Sequence, residues 1–329
     1  MTSNRKRVLV PNTLGEGGWK VLNARDDLDL IRFSNPIATP DFHALLRDAP
    51  ATDGVILGLT RFGETECALA PGLQVVARIG VGYDAIAVPA LTRRRIPLML
   101  VGTANSSAVA EHALLLMLAL AKRGSELHGL VRSGRWAERL SVLPVDLFDK
   151  TVLVVGFGRV GTRVAGRCLA MEMKVLVYDP YLSAGTVRAA GCEPVADLDA
   201  ALPRADFVTI HCPKTAETTG MFDARRLARM KKSAFLVNTA RGGIVDEAAL
   251  HAALTAGGIA GAGIDVFDPE PPPPDHPLLV LPNLLSSPHM AGVTRESIER
   301  MAMQAAYNVL SVLDGKPIRE NAVNPQVFD

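Results

Sequence analysis

Arg241, Glu270 and His289 are residue types that together can bind a carboxylate or carbonyl and exchange a proton. An arginine grips a carboxylate or polarises a carbonyl, a histidine exchanges a proton near neutral pH, and a carboxylate beside it orients the imidazole. Such a trio is the equipment for hydride transfer. Taken singly, each has a plainer explanation: a surface arginine, a capping glutamate, a histidine in a turn. Convergence is argued by context. Each belongs to a polar stretch that follows an apolar, strand-like run: Asn238-Thr239-Ala240-Arg241-Gly242-Gly243, Asp265-Val266-Phe267-Asp268-Pro269-Glu270, and Ser286-Ser287-Pro288-His289-Met290-Ala291-Gly292. In open parallel sheets, ligands sit outside the carboxyl ends of the strands.

A second motif says what would supply the hydride. Residues 150–155 form an apolar run that breaks into Gly156-Phe157-Gly158-Arg159-Val160-Gly161 and then into helix-like sequence. Gly156 permits the tight turn, Gly158 lets the backbone approach a pyrophosphate, and Gly161 lets the helix pack close to the strand. The helix start then offers N–H groups to the phosphates. Eighteen residues after Gly161, a further apolar run ends in Asp179, whose carboxylate suits two ribose hydroxyls. The glycine pattern alone is weak; with the strand before it, the helix after it and the acid at the next strand end, it predicts NAD. A ribose 2'-phosphate would be repelled by Asp179, which makes an NADP-linked reductase the less favoured choice.

The remaining composition narrows the class. The 329 residues suit two domains. A formal charge of +1 argues against nucleic acid or an anionic membrane as partner. Cys67, Cys168, Cys192 and Cys212 are scattered without metal-ligand spacing, which fits a reducing cytoplasm and no metal. The N-terminal stretch Met1 to Arg7 is charged and runs into a short strand, unlike a signal peptide. The most apolar run, residues 113–121, is too short for a bilayer and predicts a buried helix.

In chain order, strand-like runs at residues 8–10, 28–33, 55–59, 73–79 and 97–101 alternate with helical stretches such as 41–47 and 84–95. They predict a first α/β domain. Its loop Arg78-Ile79-Gly80-Val81-Gly82-Tyr83-Asp84 is either a plain turn or a nest of N–H groups able to hold a carboxylate. Residues 105–122 predict a long helix buried on several sides, in which His112 is expected to pack rather than to catalyse. Strands near Val152, Val175, Phe207, Phe235 and Ile259 predict a doubly wound second sheet. Residues 294–313 read as a closing helix and 321–329 as coil.

The motifs at 78–84, 156–161, 238–246, 265–271 and 287–292, with Ala108-Val109-Ala110-Glu111-His112, resemble the D-isomer-specific 2-hydroxyacid dehydrogenase family over nearly the whole chain. The resemblance implies two Rossmann-like or flavodoxin-like domains with doubly wound parallel sheets. The substrate domain is discontinuous, residues 1–101 with 291–329, and residues 102–290 form the NAD-binding Rossmann domain. It implies His289 as acid/base, Glu270 as its partner, and Arg241 binding the substrate's carboxylate and carbonyl. The backbone of Gly80, Val81 and Gly82 is expected to hold the substrate carboxylate. For NAD it implies Arg159 and Val160 with the three glycines at the pyrophosphate and Asp179 at the ribose. His211 and Cys212 would lie near the adenosine half, with Thr239, Ala240, Arg241, Asp265, His289 and Gly292 toward the nicotinamide.

Two departures shape the expected substrate. Val81 stands where the phosphoglycerate branch and the corepressor relatives often carry a hydroxyl, and Leu57 where the phosphoglycerate branch tends to place an arginine. The sequence also ends soon after the closing helix, with no room for a regulatory domain. An unphosphorylated 2-hydroxy or 2-oxo acid is therefore expected ahead of 3-phosphoglycerate. A dinucleotide-sensing, corepressor-like binding protein is the alternative from another class, disfavoured by the intact trio. Trp136, an aromatic on a polar segment, and the apolar helix predict a two-fold homodimer, though a Trp covering its own domain would read the same way.

Overall fold

The computed structural model describes residues 5–329, so the first four residues of the charged N-terminal stretch lie outside the described residues. The chain divides into two compact units. One comprises the residues up to Asn105 together with Thr294–Asp329; the other is Ser106–Val293.

The first unit holds a five-stranded parallel sheet: β1 (Lys6–Pro11), β2 (Leu28–Phe33), β3 (Thr52–Leu57), β4 (Val75–Arg78) and β5 (Leu98–Met99), in the order β2-β1-β3-β4-β5. Its strands read as continuous apolar runs because both faces are buried. Leu9, Val55, Leu57 and Val76 enter one core with Phe42, Phe62 and Leu91. Their strand neighbours Val8, Val10, Ile56 and Val75 point the other way, as the two-residue period requires. There they meet Met301, Ala302, Ala305 and Val309 of the helix Arg295–Leu313.

Two expectations for this unit need correction. The helix expected over 84–95 occupies only Val88–Arg93. Phe62 and Ile86 form a parallel bridge in which the Phe62 backbone bonds to Ala85 and Ala87 ahead of the helix, and Pro89 suits the first helical turn. Nor is the tail 321–329 plain coil. Ala322 bridges Met99 and the Val323 N–H donates to the Leu98 carbonyl, so the tail covers the edge of β5. The Asn324 side chain accepts from Leu98 N at 2.8 Å and donates to Ile96 O at 3.0 Å, ahead of a last turn Pro325–Phe328.

The second unit carries a seven-stranded parallel sheet: β6 (Thr151–Val155), β7 (Lys174–Tyr178), β8 (Glu193–Pro194), β9 (Phe207–Ile210), β10 (Phe235–Asn238), β11 (Gly261–Ile264) and β12 (Leu284–Ser286). Their order, β12-β11-β10-β9-β6-β7-β8, reverses direction beside β6. That reversal opens a crevice at the β6 and β9 carboxyl ends. Here the expected strand near Ile259 begins at Gly261, and β8 and β12, two and three residues long, add to the expected strands. Strands that short show no periodicity.

The helix Ser106–Lys122 packs on this sheet through Ala113, Leu116, Met117 and Leu120. A Cβ on Gly263 would stand 2.9 Å from the Leu116 Cβ, so the small residues of β11 admit the helix at close range. Among the described residues no helix is long and apolar enough to cross a membrane.

Candidate active site

The dinucleotide turn leaves β6 at Gly156 and enters the helix Gly161–Ala170. Gly156 has φ +92°, and a Cβ there would lie 2.6 Å from the Cys212 nitrogen. A Cβ on Gly161 would overlap the Gly156 carbonyl, so strand and helix start approach as only glycine allows. Gly158 and Arg159 are exposed and Val160 is half-buried at the helix start, which no side chain caps. N–H groups at a helix start beside a glycine cradle form a site for a pyrophosphate.

Asp179 sits just past β7. Its Oδ2 accepts from Phe157 N at 2.9 Å, inside the glycine turn, and its Oδ1 accepts from Tyr181 N at 3.0 Å. Each oxygen keeps a further lone pair, which suits two ribose hydroxyls. Tyr181 donates its hydroxyl to Glu217 Oε2 at 2.5 Å.

Two buried polar atoms near this crevice have no protein partner: Nδ1 of His211, just past β9, and Oγ1 of Thr239, just past β10. Orphaned polar atoms beside a glycine cradle are what a dinucleotide would satisfy. His211 Nε2 lies 2.8 Å from Thr209 Oγ1, and burial pushes the imidazole down to about 3. The half-buried Cys212 thiol is pushed up to about 11, chiefly by burial, and stays protonated at neutral pH.

The histidine has a consequence for stability. A histidine with a depressed folded-state value contributes fully above its unfolded value near 6.5 and loses that contribution as pH falls toward 3, because the unfolded chain takes up a proton the folded one refuses. From pH 7 to pH 5 this one group should cost about 2 kcal/mol. In denaturant titrations His211→Gln should lose correspondingly less over that interval. Equal losses in the two proteins would rule out a neutral buried His211.

Arg241 follows β10 in a loop organised by Asn238. The Asn238 Oδ1 accepts from Ala240 N at 3.0 Å and its Nδ2 donates to Arg241 O at 2.9 Å, while Arg241 Nη1 donates to Ala240 O at 2.7 Å. A Cβ on Gly242 would overlap the Phe267 carbonyl, and one on Gly243 would lie 2.6 Å from Asp268 Oδ2. The Arg241 loop therefore lies directly against the loop that carries Glu270.

Glu270 is fixed at both oxygens. Its Oε1 accepts from Phe267 N at 3.0 Å and its Oε2 lies 2.7 Å from His289 Nδ1. With Nδ1 engaged, Nε2 is the ring atom left to exchange a proton. His289 follows β12 with φ +55°, a left-handed conformation that costs a residue with a Cβ on the order of 1 kcal/mol. Gly292 closes the same turn.

One residue, Asp265, holds that turn. Its carbonyl accepts from His289 N at 2.8 Å, its Oδ1 from Met290 N at 2.8 Å and its Oδ2 from Ala291 N at 2.9 Å. Asp265 is fully buried at the end of β11. Read as a cofactor contact from the sequence, it is also the clamp on the histidine's backbone. Asn238 and Ser287 lie in the sequence motifs without a role of their own, although an Asn at a strand end ahead of a turn is a signal for local side-chain to backbone bonding.

In the first unit, the loop at Gly80, Val81 and Gly82 follows β4. Gly80 has φ +128°, with nothing within 4 Å of a Cβ position, and Arg78 Nε donates to Gly82 O at 2.8 Å. Leu57, at the end of β3, is wholly buried, so that position offers no cation. Arg61 is exposed and lines a cavity of about 210 Å³ with Pro36, Ile37, Phe42, Leu59 and Thr60, whose Oγ1 is unpartnered.

Residues 114–291 match the family model described as D-isomer specific 2-hydroxyacid dehydrogenase, NAD binding domain. The chain is 40% identical over 281 residues to D-3-phosphoglycerate dehydrogenase of Archaeoglobus fulgidus, covering 85% of this chain and 53% of that protein. It thus spans about half the length of that relative. With a glyoxylate reductase of Korarchaeum cryptofilum it shares 36% identity over 327 residues, 98% of this chain and 97% of the other. Among solved structures, D-lactate dehydrogenase from Aquifex aeolicus, complexed with NAD and lactic acid, superposes with a TM-score of 0.83 at 27% identity, covering 96% of this chain and 98% of that one.

Proposed function

Because this chain belongs to the D-isomer-specific 2-hydroxyacid dehydrogenase family, we propose that it interconverts a short D-2-hydroxy acid and its 2-oxo acid, with NAD as cofactor. The observation that carries this reading is the His289–Glu270 pair, 2.7 Å apart, with each partner also tied to backbone. Bound NADH supplies the hydride. The protein supplies the rest: His289 Nε2 gives the proton to the carbonyl oxygen, Glu270 pins Nδ1, and Arg241 holds the carboxylate and carbonyl. Gly80, Val81 and Gly82 are proposed to hold the substrate carboxylate through their N–H groups. The turn at Gly156, Gly158, Arg159, Val160 and Gly161 takes the pyrophosphate in this proposal. His211 and Cys212 face the adenosine half, and Thr239, Ala240, Asp265 and Gly292 the nicotinamide half.

One panel tests the proposal: glyoxylate, hydroxypyruvate, pyruvate and 3-phosphohydroxypyruvate, each with NADH and with NADPH, followed by nicotinamide absorbance. NADH should be preferred, because Asp179 repels a 2'-phosphate and Pro180-Tyr181 offers no arginine for one. The unphosphorylated acids should exceed 3-phosphohydroxypyruvate in kcat/KM, because Leu57 replaces a phosphate clamp. The phosphoglycerate dehydrogenases at 40% identity are the reason to include the phosphorylated acid. A higher kcat/KM for it would overturn the ranking of unphosphorylated acids; no turnover of any acid would refute the reading.

We also propose a homodimer. Trp136, Leu140, Leu143 and Phe148 are each more than 60% exposed within thirteen residues, so Trp136 does not cover its own unit. Apolar residues so exposed and so close in sequence mark a surface that a second copy would cover. Light scattering at micromolar concentration should give twice the chain mass of 35.0 kDa; a monomeric mass would refute it. The four free thiols support a reducing, cytoplasmic setting.

A further inference from the structure

We propose that His112 is a positioning residue for proton transfer at His289, acting through Ser287 and Asp265. His112 lies on the helix Ser106–Lys122, with its Nε2 2.8 Å from Ser287 Oγ. Ser287 Oγ lies 2.5 Å from Asp265 Oδ1, the same oxygen that accepts from Met290 N. An ionised carboxylate only accepts, so the Ser287 hydroxyl donates its single hydrogen to Asp265. That hydroxyl can then only accept from His112, which fixes the proton on His112 Nε2.

The hydrogen bonds therefore run in one direction, from His112 to Ser287 to Asp265, and end on a carboxylate that binds the N–H groups of Met290 and Ala291. His289 sits immediately before those two N–H groups, in a left-handed conformation that its side chain disfavours. Its own N–H is held by the Asp265 carbonyl. Remove the donor on His112, and the Ser287 hydroxyl is free to rotate away from Oδ1. The clamp then loosens where the imidazole must stay aligned with both Glu270 and the reacting oxygen. Such a misplacement lowers turnover without removing any group that touches the cofactor or the substrate.

The catalytic part rests on the dehydrogenase reading; the clamp does not, so two measurements separate them. Amide hydrogen exchange on the protein without cofactor or substrate should show residues 289–291 losing protection about tenfold in His112→Leu and in Ser287→Ala, with the rest of the second unit unchanged. His112→Gln, whose amide can still donate to Ser287, should keep the protection. Unchanged exchange in His112→Leu would overturn the clamp, whatever the enzyme does.

In steady-state assays with the best acid of the panel, His112→Leu should lower kcat about tenfold, with KM and the NADH Kd within about twofold, and His112→Gln should recover most of it. The double variant His112→Leu/Ser287→Ala should be no slower than Ser287→Ala, because the two residues act in series. Additive losses, a wild-type kcat in His112→Leu, or a loss that Gln does not recover would overturn the positioning role. A wild-type protein that turns over no acid, with the exchange result intact, would refute the dehydrogenase reading and leave the clamp standing.

Discussion

His289→Ala should lower turnover of the best 2-oxo acid by roughly 100- to 10,000-fold while leaving the NADH Kd within about twofold. The alkoxide that develops as hydride arrives needs a proton from a group within hydrogen-bond reach, and Nε2 is the ring atom that Glu270 leaves open. A companion variant locates the cause. Glu270 accepts from two N–H groups at once, Phe267 N and His289 Nδ1. In Glu270→Gln only one oxygen remains, so one of these N–H groups faces an amide NH₂ and the pair cannot keep its geometry. An intermediate loss, about tenfold, is expected there. Full turnover in His289→Ala, measured with saturating NADH, would remove the histidine from the chemistry.

Arg241→Ala should lower kcat/KM by about 1,000-fold, spread over both kcat and KM, and Arg241→Lys should recover little of it. A guanidinium offers a planar fork to a carboxylate and carbonyl in one plane; an ammonium is a point charge on a flexible stem. The loop is built to aim that fork. Asn238 binds the backbone on both sides of the turn, and Gly242 lets the loop lie on the Phe267 carbonyl. The split between constants is decisive. A variant with raised KM and unchanged kcat would mean that Arg241 only binds substrate and does not orient the carbonyl.

The elements most readable from the sequence were those with a long apolar period or a fixed spacing of special residues. The glycine turn at residues 156–161 belongs here because close backbone approach demands glycine at Gly156 and Gly161, and the acid at 179 because its carboxylate lies at the next strand end, against that turn. β8 and β12 were hidden, since two or three residues cannot display alternation. The tail looks like coil in sequence because its order comes from Asn324 and from the edge of β5, partners more than 200 residues away in sequence. Asp265 shows the same limit at the site. The family resemblance implies a contact with the cofactor, but the bonds of Asp265 to the turn at His289 depend on where β11 and β12 end relative to each other. His112, expected to pack, engages Ser287, 175 residues further on.

The first unit is made from both ends of the chain, and this imposes an order of events during synthesis. When Asn105 leaves the ribosome, all five strands of its sheet have been made. One face, however, with Val8, Val10, Ile56 and Val75, still lacks the helix Arg295–Leu313. That helix arrives only after the whole of Ser106–Val293, roughly 10 to 40 s later at 5–20 residues per second. The second unit is continuous and has every strand it needs before then. The nascent chain thus carries a half-covered apolar sheet throughout the time its neighbour is being built, and that is the interval in which a chaperone would have most to bind.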